Sequence, residues 1–118
     1  MGVGYTLVNY TKKEMVMFLH IPAEKARELA GSPISATMTT WYLLQNLGDD
    51  ISFVSDTYDD WPFPNGSKED MDHYKEVTEQ LVDSLIKVGI LKDEGIIRAD
   101  EDEPELIYMR SLKNIWMA

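Results

Sequence analysis

GYTLVN (Gly4 to Asn9) and EMVMFLH (Glu14 to His20), joined by Tyr10-Thr11-Lys12-Lys13, decide how this chain folds. Both segments are rich in strand formers, and the short connection between them is polar at its end. The pattern predicts a β-hairpin. Alternation puts Tyr5 and Leu7 on one face and Thr6 and Val8 on the other; in the second strand Met15, Met17 and Leu19 oppose Val16 and Phe18. Both faces are largely apolar, so at least the second strand is expected to be covered on both sides. Asn9 is placed to start the turn, because its side chain readily bonds nearby backbone, and Lys12 and Lys13 then sit at the tip.

Working outward, Pro22 opens a short helix over Ala23 to Ala30, with Gly31 after it, because a first-turn proline gives up no hydrogen bond. Ser32-Pro33 repeats the start signal for a second helix to about Leu47. That helix is apolar nearly all round from Trp41 to Leu44, which assigns it to the core. ISFVS (Ile51 to Ser55) reads as a strand, and DTYDDWPFPNG (Asp56 to Gly66) is irregular, with two prolines and Asn-Gly. Ser67, with Asp70 as a variant capping box, begins a third helix ending at Gly89. Met71, Tyr74, Val77, Leu81, Leu85 and Val88 fall on one stripe of it. Ile90-Leu91, Gly95 to Ile97 and Leu106 to Met109 read as short strands, the last two as a hairpin across Asp100 to Glu105, and Ile115 to Met117 is expected to pack back onto the body. The order ββ-αα-β-α-ββ is α+β, with a mainly antiparallel sheet and about three helices in a single domain over residues 1–118.

The chain has 118 residues, 44% hydrophobic, enough to build a core without cross-links. It has no cysteine, so disulfides, thiol catalysis and thiolate metal sites are excluded. No stretch approaches the roughly 18 to 20 apolar residues of a membrane helix. The opening residues lack the pattern of a signal peptide, so a cytoplasmic protein is expected. Net charge is −10, and it is unevenly placed. Residues 1–48 hold four Lys/Arg and three Asp/Glu, whereas residues 49–118 hold seven and eighteen. Nucleic acid and anionic lipid both need a cationic face, so neither is an expected partner; a basic protein is.

Few residues suit catalysis. The two histidines, His20 at a strand end and His73 on the third helix, have no nucleophile motif with them. The carboxylate pairs Asp49-Asp50 and Asp59-Asp60 lie in polar loops, where both members stay solvated rather than diverging in pKa. Neither Asp56-x-x-Asp59-Asp60 nor Asp100 to Glu103 follows the spaced calcium-loop pattern, and no phosphate loop is present; no metal or cofactor is expected. The final hairpin could mimic the wing of a DNA-binding winged helix, but five of its six residues from Asp100 to Glu105 are acidic.

Interaction surface remains. Tyr58, Trp61 and Phe63 lie among Asp56, Asp59 and Asp60, aromatic anchors ringed by charge. The same loop also reads as a lid with Trp61 and Phe63 tucked into the core. Asp100, Glu101, Asp102 and Glu103 form a second acidic patch, which is either a solvated hairpin tip or a steering surface. The expected contacts for a basic partner are therefore Asp56, Tyr58, Asp59, Asp60, Trp61, Phe63 and Asp100 to Glu103. The concrete form of this expectation is an immunity protein neutralising a basic bacterial toxin such as a nuclease. Two alternatives stand beside it: a small-molecule-binding domain or enzyme with a pocket near His20, Trp41 and Tyr42, and a structural or oligomeric module. The oligomeric state is open.

Gly4, Tyr5, Leu7-Val8-Asn9 and Lys12-Lys13-Glu14 carry a resemblance. The opening resembles small microbial proteins that begin Gly-x-Tyr-x-Leu-Val-Asn-x-x-Lys-Lys-Glu, over about a dozen residues. The resemblance implies a stand-alone bacterial protein and carries over no catalytic residue.

Overall fold

The hairpin forms as expected at its turn. β1 (Tyr5–Asn9) pairs antiparallel with β2 (Glu14–Val16), and Asn9 Oδ1 accepts the Lys12 N–H at 3.0 Å to close the connection. These elements belong to a computed structural model that describes residues 3–21, 23, 25–57, 61–99, 101–103 and 108–116, with 97–99 described by backbone alone. β2 ends four residues earlier than the pattern predicted. Phe18 (φ 57°) and His20 (φ 65°) adopt the left-handed conformation, which breaks a strand and is costly for side chains of this size. Phe18 is buried and stacks on Phe53, and His20 is clamped by the last strand, so packing outweighs the local preference.

Two helices follow: α1 (Ala26–Gly31) and α2 (Pro33–Gln45). α1 begins later than expected; Glu28 reaches back to accept the Lys25 N–H at 3.1 Å. Pro22 lies outside the described residues. α2 starts at Pro33, as read. It is less of a core helix than its composition suggested: Ser35, Met38 and Tyr42 are buried, but Leu44 is 55% exposed and Leu47, just past its end, 78%. β3 (Ile51–Ser55) then pairs antiparallel with the far side of β1.

The amphipathic stretch after Ser67 is the main departure from expectation. It is not one helix. A 3-10 helix (Lys68–His73) leads into β4 (Lys75–Glu76), which pairs in parallel with β2, and only then does α3 (Thr78–Lys87) begin. The four-stranded sheet is ordered β3-β1-β2-β4. The break has a physical cause. Met71 and Tyr74 pack with Val8, Val54 and Phe63 on one face of this sheet, while Val77, Leu81 and Leu85 pack with Leu7, Val16 and Met38 on the other. A single straight helix cannot serve both faces, so the chain passes along the sheet edge at β4. Glu76 fixes the crossing by accepting the Met17 N–H at 2.7 Å, the Thr78 N–H at 2.7 Å and the Thr78 hydroxyl at 2.6 Å. Adjacent Leu7 and Val8 are both buried, so the sheet is covered on both sides at β1; in the second segment, where two-sided cover was expected, Val16 and Phe18 are buried but Met17 is 43% and Leu19 41% exposed, because the strand ends at Val16.

β5 (Leu91–Ala99) and β6 (Tyr108–Asn114) form a separate antiparallel hairpin. What read as two short segments is one strand, irregular around Gly95 (φ 103°). After β6, Ile115 donates its N–H to the Ile90 carbonyl, yet Trp116 is 68% exposed, so this tail is tied down by its backbone rather than buried; Met117 lies outside the described residues. The fold class is α+β with a mostly antiparallel sheet.

Candidate functional site

The aromatic loop is a lid at Phe63. That ring is buried, stacked on Tyr10 at 5.2 Å and edge-on to Trp61 at 5.0 Å. Trp61 is half-buried, and its indole N–H donates to the Asn65 carbonyl at 2.7 Å. Asp56 is exposed but structurally engaged. Its Oδ1 accepts the Thr57 hydroxyl and the Gly4 N–H, each at 2.9 Å, and these two bonds hold its carboxyl below the usual range. A Cβ on Gly4 would lie 2.7 Å from Asp56 Oδ2, so a side chain there would displace the Asp56 carboxylate. Phe63 is thus core, and Asp56 anchors the start of β1. Tyr58, Asp59 and Asp60 lie outside the described residues.

Residues of the opening motif meet in a polar cluster around the hairpin turn. The Tyr42 hydroxyl donates to Glu14 Oε1 at 2.6 Å, and buried Asn9 donates through Nδ2 to Asp49 Oδ2 at 2.9 Å. Lys12 pairs with Asp49 at 3.4 Å and donates to Asn46; the Asn9 and Lys12 bonds keep Asp49 below its ordinary pKa. Burial, reinforced by Glu14, pushes the Tyr42 phenol far up. Lys13 lies 3.3 Å from the Tyr10 ring centroid. Asn9, Lys12 and Glu14 therefore hold the hairpin to α2 and to Asp49 beyond its end, while Lys13 packs on Tyr10, whose ring carries the lid contact with Phe63.

The structure separates His20 from Trp41 and Tyr42. Trp41 and Tyr42 line a shallow depression with Glu14, Lys75 and Gln80. His20 stacks on Tyr108 with ring centroids 3.6 Å apart, donates through Nδ1 to the Tyr108 carbonyl at 2.9 Å, and accepts the Arg110 N–H on its own carbonyl. It works as a clip between the end of the first hairpin and β6.

A more suggestive arrangement lies where α3 meets the second hairpin. Glu79 and Asp83, one turn apart on the exposed side of α3, face Asp93, Ile96, Tyr108 and Arg110 across a cleft of about 340 Å³. Asp93 accepts from Arg110 at 2.6 Å and from the Gly95 N–H at 2.8 Å; the Gly95 and Arg110 bonds depress its pKa. Arg110 is consumed by that pair, and among the described residues Glu79 and Asp83 have no cationic partner. Ile96, 60% exposed, gives the cleft an apolar lip. Glu101, Asp102 and Glu103 are exposed on the connection between β5 and β6, so the expected tip patch continues the hairpin that walls the cleft; Asp100 lies outside the described residues.

Glu79 and Asp83 lie off the apolar stripe of the Ser67 to Gly89 stretch, and neither Asp93 nor Arg110 falls in a motif. Spacing of four residues between Glu79 and Asp83 was visible. Their approach to β5 was not, because it depends on how the hairpin docks. No family model, no curated protein and no solved structure matches this chain.

Proposed function

We propose that this chain is an acidic protein-binding domain that receives a basic protein, with Lys or Arg side chains entering the cleft between α3 and the β5–β6 hairpin. The observation that carries the reading is the convergence of Glu79 and Asp83 with Asp93 on one concavity beside exposed Ile96. Carboxylates held on a helix and a strand are positioned before a partner arrives, so little ordering cost falls on binding. Ile96 supplies apolar contact next to the charge, and Glu101 to Glu103 extend the negative potential outward to steer encounter. The finer form is an immunity protein acting in the cytoplasm, masking a basic toxin such as a nuclease by presenting the charge its natural substrate would present. Among the described residues no helix is long and apolar enough to cross a membrane.

The test is capture from native lysate on the immobilised chain, beside a Glu79→Gln/Asp83→Gln variant, with recovered proteins identified by mass. A basic protein should be retained at ~50 mM salt, released towards ~500 mM as the charges are screened, and retained poorly by the variant. Recovery of acidic or neutral proteins alone, or of basic ones equally by both chains, defeats the proposal.

A further inference from the structure

We infer that the outer edge of β3 docks an extended segment of another protein, one whose residues alternate apolar and polar and whose two ends carry Lys or Arg. This site is separate from the α3 cleft. β3 ends the four-stranded sheet, with β1 on one side of it and no strand on the other. The ladder fixes which of its backbone groups look outward. The Tyr10 N–H donates to the Asp50 carbonyl and the Asp56 N–H to the Gly4 carbonyl, and between them Val8 stands opposite Ser52 and Thr6 opposite Val54. Bonded positions of an antiparallel pair recur at every second residue. Ser52 and Val54 therefore turn their backbone groups to β1, and Ile51 and Phe53 turn theirs away. Among the described residues the one contact to those outward groups is the hydroxyl of neighbouring Ser52 on the Phe53 carbonyl, at 3.3 Å.

Sheet edges are normally blunted by proline, charge or a bulge. ISFVS contains neither proline nor charge, and its register with β1 runs without a bulge. An edge of this kind accepts an extended backbone, which continues the ladder. Side chains of the added strand opposite Ile51 and Phe53 share their face of the sheet. On that face Phe53 and Tyr5 floor an apolar groove of about 380 Å³, walled by Leu29, Ala36 and Thr40. Alternate apolar residues of the incoming strand reach it.

Charge selects the occupant. Asp50 immediately precedes the strand and Asp56 follows it, and both are exposed. A second copy adding its own β3 about a two-fold axis at Phe53 would set each Asp50 opposite an Asp56, and like charges directly opposite destabilise a strand pair. A foreign strand with cations three residues either side of its centre is complementary at both ends instead. Lys68 lies near enough to Asp56 to offset part of its charge, so Asp50 carries more of the selection.

A blocked seven-residue peptide tests this on the intact chain: lysine at both ends, valine second and sixth, threonine third and fifth, leucine fourth. Titrated to millimolar concentration into the isotope-labelled protein, it should shift the Ile51 and Phe53 amide resonances. N-methylation of the leucine, which removes the donor to the Phe53 carbonyl, should weaken binding at least about tenfold. Asp50→Lys should weaken it about fivefold and favour a peptide with glutamate ends. The Glu79→Gln/Asp83→Gln variant should bind the peptide as wild type does, which separates this site from the cleft. No shift at Ile51 and Phe53, equal binding of the methylated peptide, indifference to Asp50→Lys, or loss in the cleft variant overturns the inference. Pairing of wild-type copies through the same amides without peptide overturns the choice of occupant. Should Asp50→Lys fail to fold, the methylated peptide decides alone.

Discussion

Replacing Phe63 with alanine separates a lid from a binding loop. The ring is buried, with Tyr10 stacked on one side and Trp61 edge-on, and it lies over Val8 and Val54 of the sheet. Removing a buried phenylalanine costs ~3–5 kcal/mol in transfer and cavity terms together. Aromatic pair geometry contributes to that loss, at about 0.5–1.5 kcal/mol per pair. The lid is a surface layer that can partly collapse, so the lower end, ~3 kcal/mol, is the appropriate estimate. For 118 residues the unfolding entropy is about 0.25 kcal/mol per kelvin, so the melting temperature should fall by about 12 °C. Urea unfolding followed by tryptophan fluorescence and by far-UV circular dichroism would measure it, and the two probes should shift together if the lid unfolds with the sheet. A loss below ~1 kcal/mol with the fold intact would refute the packing argument and return Phe63 to the list of partner contacts.

Two further outcomes follow from the polar groups. Tyr42→Phe deletes the hydroxyl that donates to Glu14 and leaves that carboxylate short of a bond beside a buried ring, so urea titration should show a loss of ~1.5–3 kcal/mol; unchanged stability would mean Glu14 is satisfied by water. Asp93 is held below its ordinary pKa by the Gly95 N–H and by Arg110, so its contribution is present above the unfolded value of ~3.9 and is lost as pH falls through the lower folded value. Asp93→Asn should therefore lower the urea midpoint at pH ~6 while bringing the wild type and variant together near pH ~2; a constant gap at both would show that the carboxylate charge is not what matters.

Much of the fold was legible locally because the relevant signals act over a few residues. The GYTLVN segment, the start of EMVMFLH as far as Val16, the Asn9 turn, the Ser32-Pro33 helix start and the ISFVS strand each carry their own pattern, and all five appear in the structure. The apolar faces of the hairpin also pointed to a sheet covered on both sides, which holds at Leu7 and Val8 of β1 but not at Met17 and Leu19 of the second segment. The candidate site was legible only in part: the acidity of residues 49–118 and the Glu79, Asp83 spacing were plain, while the cleft was not.

Periodicity reports that a side chain seeks burial; it does not say against which surface. From Ser67 to Gly89 the apolar spacing suits one helix, but Met71 and Tyr74 belong under one face of the sheet and Leu81 and Leu85 under the other, so the chain had to break at β4. The same reason explains why an apolar α2 ends half-exposed: only one side of a helix fits against this sheet, and its composition cannot tell which side that is. Sequence alone settled the α+β class, the covered hairpin and the segregation of charge. Long-range docking decided where the acids of α3 meet β5 and which leucines face outward, because those contacts join segments whose local preferences carry no information about each other.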